Sequence, residues 1–198
     1  TPMYAPLSPP RPAWPAAVAI PLVPLGVLLA MGRPPICTCG TVELWYGNIN
    51  SSGNSQHLSD WYTPSHIIHG MLFYGLAWLL FRKWHLGGKR AARWGFPLAV
   101  FLEAAWEIVE NTPFVIDRYR AVTVNWGYSG DSVINSMADI GWMSLGFWLA
   151  MRLPVKVTVA LAVAAEILPA LVGRANLTLH VIMLIWPLES IRVWQGAG

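Results

Sequence analysis

The chain has 198 residues, 55% of them hydrophobic and only 12% charged, with a formal net charge of +3 and a mean hydropathy of +0.46. About a quarter of the residues of a soluble domain carry charge, so this composition excludes an ordinary soluble domain and points to one integral membrane domain over 1–198. Its basic residues lie in short loops between apolar runs, which argues for membrane orientation and against a nucleic-acid partner.

Residues 1–14 form a Pro-rich lead-in with Arg11 as its one charge. The apolar run 15–31 is long enough to span and should kink at Pro21 and Pro24. It has no strongly basic start and no clear A-x-A cleavage site, so a retained helix is expected rather than a signal peptide. A polar outer loop follows at 33–62, with turns over 47–55 and a short strand or interfacial segment at 41–46. Cys37 and Cys39, one residue apart, make a poor intrachain disulfide and too few ligands for a structural zinc site, so ordinary loop residues are expected.

Further spans are expected at 64–81, 95–115, 131–151 and 157–172. The last apolar segment, 176–190, is short and interrupted by Pro187, which gives a short span or a re-entrant helix. The fold class is therefore all-α, a polytopic transmembrane bundle of about six spans, five plus a short or re-entrant sixth. With the N-terminus inside, Arg11, Arg82, Lys83, Lys89, Arg90, Arg93, Arg152, Lys156 and Arg192 face inward. Only Arg33, Arg118, Arg120 and Arg174 then face outward. This bias predicts a multi-pass protein of the bacterial inner membrane with both termini cytoplasmic, its partners the membrane lipids. Tryptophans such as Trp14, Trp45, Trp61, Trp94 and Trp126 fall at or beyond span ends, as an interfacial belt requires.

The unusual residues lie inside these apolar runs. Glu103, Glu107 and Glu110 at 0, +4 and +7 share one helix face, within about 60° at roughly 100° per residue. Asp131, Asn135 and Asp139 follow at 0, +4 and +8. Each ionisable group in a span costs on the order of 2.5–3.5 kcal/mol on insertion scales, so such groups usually face a bundle interior or a wet cavity. In the predicted topology His66 and His69 begin the second span, Glu107, Glu110 and Asn111 lie toward the end of the third, and Asp131 and Asn135 begin the fourth. All should converge near the outer surface, with Glu103 and Asp139 one to two turns deeper.

Three chemistries fit that convergence. Glu107, Glu110, Asp131, Asn135 and Asp139 are candidate catalytic residues, since paired carboxylates shift each other's pKa and can divide acid and base roles. His66 and His69 with one or two glutamates would suit a divalent metal such as zinc. Arg118 and Arg120 are candidate substrate-binding residues, offering bidentate contacts to the phosphate of a lipid-linked envelope precursor. Against all of these stands a packing role, in which Glu107 and Glu110 pair with Arg118 or Arg120 and Asp131 simply caps a helix after Gly130. His57, His85, Glu166 and His180 have no neighbours in sequence that recommend them.

The stretches SSGNSQHLSDWYTPSHIIHGMLFYG, WEIVENTPFVIDRYR, GYSGDSVINSMAD and NLTLHVIMLIWPLESIRVWQ resemble an uncharacterised inner-membrane protein family of alphaproteobacteria, over nearly the whole chain from Cys39. That resemblance implies location and architecture. A looser similarity, over roughly 60–150, is to the VanZ-like membrane proteins associated with glycopeptide resistance. Its order of an acid, a His, a Glu, an Arg and D-x-x-x-N is met by Asp60, His66 or His69, Glu107 or Glu110, Arg118 or Arg120, and Asp131 with Asn135. Lipoprotein signal peptidases carry N-x-A-D, whereas this chain reads Asn135-Ser136-Met137-Ala138-Asp139, one residue too long. An Asp131–Asp139 protease dyad is therefore a minor expectation. The sequence leads to a cavity facing the periplasm that recognises, and in the fuller expectation hydrolyses, a lipid-linked or amphipathic envelope substrate. The alternative is a non-catalytic membrane subunit.

Overall fold

The computed structural model describes residues 13–88, 91–124 and 126–196. The expected lead-in falls almost wholly on residues outside these, as do Arg11, Lys89 and Arg90. Among the described residues every regular element is helical.

Two short helices open the chain, α1 (Trp14–Ala19) and α2 (Leu22–Ala30). The break falls at Ile20-Pro21, where proline supplies no N–H, while Pro24 is tolerated in the first turn of α2. α3 (Thr63–Trp78) runs on through a π turn, Leu79–Lys83. A 3₁₀ turn, Ala91–Trp94, leads into α4 (Gly95–Glu110), and α5 (Pro113–Val122) follows almost at once. α4 thus stops short of the expected Val115. The Asn111 side chain bonds back to the Glu107 carbonyl at 3.0 Å, and Thr112 caps a new helix that starts at Pro113.

α6 (Val133–Arg152) and α7 (Val155–Gly173) form a long pair, followed by α8 (Leu177–Ile185) and α9 (Glu189–Gly196). The cap of α6 is Ser132, whose Oγ accepts the Asn135 N–H at 3.2 Å, and not Asp131.

Two helices, Thr63–Lys83 and Val155–Gly173, are long and apolar enough to cross a membrane. About six spans were expected, five plus a short or re-entrant sixth; among the described residues the other segments fall outside that length and composition for physical reasons. The continuous helix of α4 has 16 residues, about 24 Å at 1.5 Å per residue. α6 is long enough but carries Asn135, Ser136 and Asp139, and the first run is cut in two at Pro21. α8, with 9 residues, is about 14 Å long and too short to cross a bilayer core.

The core is a seam between α3, α4 and α6, where Tyr74, Ala77, Ala99, Val100, Ile140, Met143 and Phe147 are buried together. Glycines set its width. A Cβ on Gly70 would lie 1.9 Å from the Met143 carbonyl oxygen, and one on Gly146 2.0 Å from that of Ile67. Only hydrogen fits where the two backbones cross. In contrast, α7 presents Val159, Leu161, Val163, Ile167, Leu168 and Leu171 outward.

The described ends of the chain lie at opposite ends of the bundle. The Ala13 N–H meets the Arg93 carbonyl just before α4. The Trp194 carbonyl and the Gln195 amide meet Arg174 at the far end of α7, at 2.8 and 3.0 Å. Termini on one side were expected. The difference arises because α8 folds back against α5, as the re-entrant alternative allowed, and does not run the length of the bundle.

No strand forms over 41–46. That segment pairs loosely with the end of the loop, Tyr46 N–H to the Ser59 carbonyl at 2.8 Å and Leu58 N–H to that of Glu43 at 3.0 Å. Cys37 and Cys39 are joined in a disulfide, against the expectation of two ordinary loop thiols. The intervening residue leaves their Cα atoms 5.1 Å apart, within the range that bridged cysteines span.

Candidate functional site

Two loops hold the helix ends, and the one before α3 forms a strap over them. Backbone N–H groups in the first turn of a helix have no partner within it, and the loop before α3 meets those of α6. The Ser132 N–H bonds to the Ser55 carbonyl at 3.0 Å, Val133 to Pro34 at 2.8 Å and Ile134 to Pro35 at 3.1 Å. Gln56 reaches the Gly130 carbonyl at 2.9 Å, and Asn135 Nδ2 donates to the His57 carbonyl at 2.8 Å. Trp142 Nε1 donates to the Leu58 carbonyl at 2.8 Å.

The strap is itself braced. His57, which no neighbour in sequence recommends, is 1% exposed, stacks on Tyr46 and accepts the Glu43 N–H. Asp60 accepts N–H bonds from Ser55 at 2.5 Å and Tyr62 at 2.7 Å, turning the loop into α3. Burial raises the Asp60 pKa, and those two N–H bonds offset part of the rise.

Beneath the strap lies a cavity of ≈ 90 Å³, room for several waters or a small polar head. Its polar wall carries His66, His69, Glu110, Asp131, Asn135 and Asp139. The expected convergence of α3, α4 and α6 is present. An aromatic and aliphatic wall faces these groups, including Tyr62, Trp106, Tyr119 and Leu184.

Glu103 ties the imidazoles together. His66 Nδ1 lies 2.6 Å from Glu103 Oε1 and His69 Nδ1 3.0 Å from Oε2. With Glu103 as carboxylate, both rings are assigned an Nδ1–H donor, so that a neutral ring presents its Nε2 lone pair to another partner. His66 Nε2 lies 3.7 Å from Asp139 Oδ2, and Glu107 Oε1 is 3.6 Å from His66 Nδ1. Glu107 is wholly buried, and neither of its carboxylate oxygens has a hydrogen-bond partner among the described residues.

Asp131 is closed off by comparison. Its carboxylate accepts from Asn111 Nδ2 at 2.7 Å and from Tyr128 at 3.0 Å, while its N–H donates to Asn111 Oδ1 at 2.7 Å. Burial and the neighbouring Asp131 carboxylate raise the Tyr128 pKa, so the phenol stays a donor. Asp131 and Asn135 therefore touch the cavity with side chains already committed to packing.

Arg118 and Arg120 do not line the cavity. Arg118 donates to the Leu184 carbonyl at the end of α8, at 3.1 Å. A phosphate clamp of the expected kind is not formed there. No lysine or arginine lines the cavity among the described residues.

Sequence reasoning placed Glu103 on the correct face but not as the shared partner of both histidines, since one-dimensional spacing gives depth and not contact. It also passed over His180, which lines the cavity and meets the Tyr119 hydroxyl at 3.3 Å. Nothing local to α8 signalled that it would fold back over the site.

Among the described residues four donor groups have ligand atoms within 4.8 Å of one another: Cys37–Cys39–His57, whose thiols are consumed by the disulfide, and three in the cluster, His66–His69–Glu103, His66–Glu107–Asp139 and Glu107–Glu110–Asp131. A buried imidazole–carboxylate cluster beneath a loop strap, in a scaffold that is all-helical among the described residues, defines this protein's class. The chain belongs to the family described as a protein of unknown function, DUF2585, whose model matches residues 28–197. It is 53% identical over 183 residues to a UPF0314 protein of Novosphingobium aromaticivorans, covering 92% of each chain. Over 181 residues it is 53% identical to one from Rhizobium johnstonii, covering 91% of this chain and 90% of that one. A third, from Paracoccus denitrificans, is 50% identical over 186 residues, covering 94% and 93%. No solved structure matches.

Proposed function

We propose that this protein sits in the bacterial inner membrane and hydrolyses an amphipathic or lipid-linked envelope substrate, whose polar head enters the cavity from the periplasmic side. The observation that carries this proposal is the wall of the cavity: carboxylates and imidazoles on one side, aromatic and aliphatic side chains on the other. A head group with an attached acyl or prenyl chain needs both surfaces.

Membrane placement is supported by the two long apolar helices and the outward apolar face of α7. The disulfide beside the strap suits an oxidising compartment, such as the periplasm, at the cavity end. With α8 turned back, we place the N-terminal end inside and the C-terminal helix α9 outside, with five crossings.

Glu110 is the group that moves protons. It lines the cavity, whereas Glu107 lies behind it. Glu110 takes a proton from the attacking water as the new bond to oxygen forms. It then returns that proton to the leaving oxygen as the scissile bond breaks, so that water is added across the bond.

The test is a gene deletion complemented with wild type or Glu110→Gln, followed by mass spectrometry of extracted lipids and lipid-linked precursors. An amphipathic species should accumulate in the deletion and with Glu110→Gln, and clear with wild type. If wild type and Glu110→Gln give the same profile, hydrolysis at this site is refuted. The closed Asp131–Asn111–Tyr128 network favours a packing role for that corner alone, and the scaffold alternative would extend it to the whole cluster.

A further inference from the structure

We infer that His66, Glu107 and Asp139 form a binding site for one divalent first-row transition-metal ion, zinc by its donor set. The inference deepens the cavity's proposed function by naming the ion that serves there.

Elimination among the three donor groups of the cluster selects this one. In His66–His69–Glu103, the glutamate is already bonded to both Nδ1 groups, at 2.6 and 3.0 Å. In Glu107–Glu110–Asp131, each oxygen of the aspartate already accepts a hydrogen bond, from Asn111 and from Tyr128. The remaining group contains Glu107, whose two oxygens are fully buried and unpartnered. A buried carboxylate without a partner loses its hydration and gains nothing in exchange. A cation at this point removes that cost.

Geometry agrees. Donor atoms around a tetrahedral ion at about 2.0–2.2 Å stand roughly 3.3–3.6 Å from one another. His66 Nε2 is 3.7 Å from Asp139 Oδ2, Glu107 Oε1 is 3.6 Å from Nδ1 of the same ring, and the three ligand atoms lie within 4.8 Å of one another, so a small shift of the Glu107 carboxylate closes the set. Glu103 holds His66 through Nδ1 and so directs Nε2 toward Asp139, the carboxylate–histidine arrangement that commonly supports a metal-bound ring. Charge agrees as well. As ligands, two deprotonated carboxylates and a neutral imidazole would carry −2, which a divalent ion neutralises, and the cavity lining holds no lysine or arginine among the described residues. The nitrogen donor selects zinc and its neighbours over magnesium or calcium. Three protein ligands leave a position for water or substrate, and His66 and Asp139 reach the cavity wall.

The experiment uses the full chain purified in mild detergent, stripped with chelator and reloaded with zinc or cobalt(II). Elemental analysis should then find one ion per chain, with zinc raising the unfolding temperature of the stripped protein. Cobalt(II) should give visible absorption bands that His66→Ala alters. His66→Ala and Asp139→Asn should lose the ion. Glu103→Gln should weaken zinc binding by about 10–100-fold through the orientation of His66, and Glu110→Gln should retain it. The inference is overturned if the reloaded wild type holds less than a tenth of an ion per chain, or if both His66→Ala and Asp139→Asn keep a full complement. Lipid turnover lost in Glu110→Gln with the ion retained would sustain both proposals. Turnover by a metal-free wild type would sustain hydrolysis and remove the metal.

Discussion

Gly146→Ala tests the packing on which the site depends. The added Cβ would meet the Ile67 carbonyl oxygen at 2.0 Å and its carbonyl carbon at 2.8 Å, where ordinary contact begins at 3.4 Å. The shortfall of about 1.4 Å is against main chain, which has no rotamer to give way, so α3 and α6 must separate. Overpacking costs typically 1–3 kcal/mol, and a rigid backbone neighbour puts this case at the upper end, about 3 kcal/mol. For a domain of this size such a loss lowers the unfolding temperature by roughly 6–12 °C. Gly141→Ala, on the same helix, is the control, since nothing lies within 4 Å of its Cβ. It should be neutral or stabilising by up to about 1 kcal/mol, through helix propensity. Thermal unfolding of both variants in the same detergent, followed by circular dichroism, decides the matter. Indistinguishable melts for Gly146→Ala and Gly141→Ala would refute the glycine-spaced crossing.

Asn111→Ala removes two hydrogen bonds to the buried Asp131, each 2.7 Å long. It should cost about 2–3 kcal/mol, read as a fall in unfolding temperature, and an unchanged melt would mean that the corner is not closed. Burial pushes the Tyr62 pKa up to about 12. Between the ordinary tyrosine value of about 10 and that value the folded state holds the proton more tightly, so this group's contribution lowers stability as pH rises through the window. Tyr62→Phe should flatten that decline without changing tyrosinate absorbance below pH of about 11; an unaltered decline would refute the assignment. The disulfide predicts that an impermeant maleimide labels Cys37 and Cys39 in spheroplasts only after reductant is added. Labelling without reductant would oppose the bridge, and labelling only after the inner membrane is permeabilised would place this end of the bundle inside.

The sequence carried the convergence well and the contacts poorly. Glu103, Glu107 and Glu110 were legible because a 3.6-residue period places 0, +4 and +7 on one face whatever surrounds the helix. Asp131 and Asn135 were legible as residues beside the cavity, but their side-chain commitments depend on Asn111, Tyr128 and the His57 carbonyl, which only folding of the two loops brings near. The direction of Arg118 was not legible, because charge in sequence says nothing about where a side chain turns, and Arg118 turns toward α8. Span ends were read less well. An apolar run does not show where its helix stops: α4 ends at Glu110, where Asn111 bonds back to the Glu107 carbonyl and Thr112 caps α5. The disulfide was missed by treating the minimal spacing as prohibitive, although one intervening residue already gives a Cα separation of 5.1 Å.

The buried acids pose one physical question, and their partners divide the answer. Glu103 is satisfied by two imidazoles and Asp131 by an amide and a phenol, so either can persist in a bundle that does nothing but hold its shape. Glu107 differs: it is fully enclosed, one helical turn from each of two other glutamates, and bonded to nothing among the described residues. A scaffold gains nothing from such a group, because an apolar residue of similar volume would fill the space without the cost of desolvating a carboxylate. Its position next to His66 and behind the cavity wall gives that cost a use. On this basis Glu107→Leu separates a scaffold from a functional site: a purely structural protein should become more stable, and the metal-binding one should lose its ion while its melt rises in the stripped state.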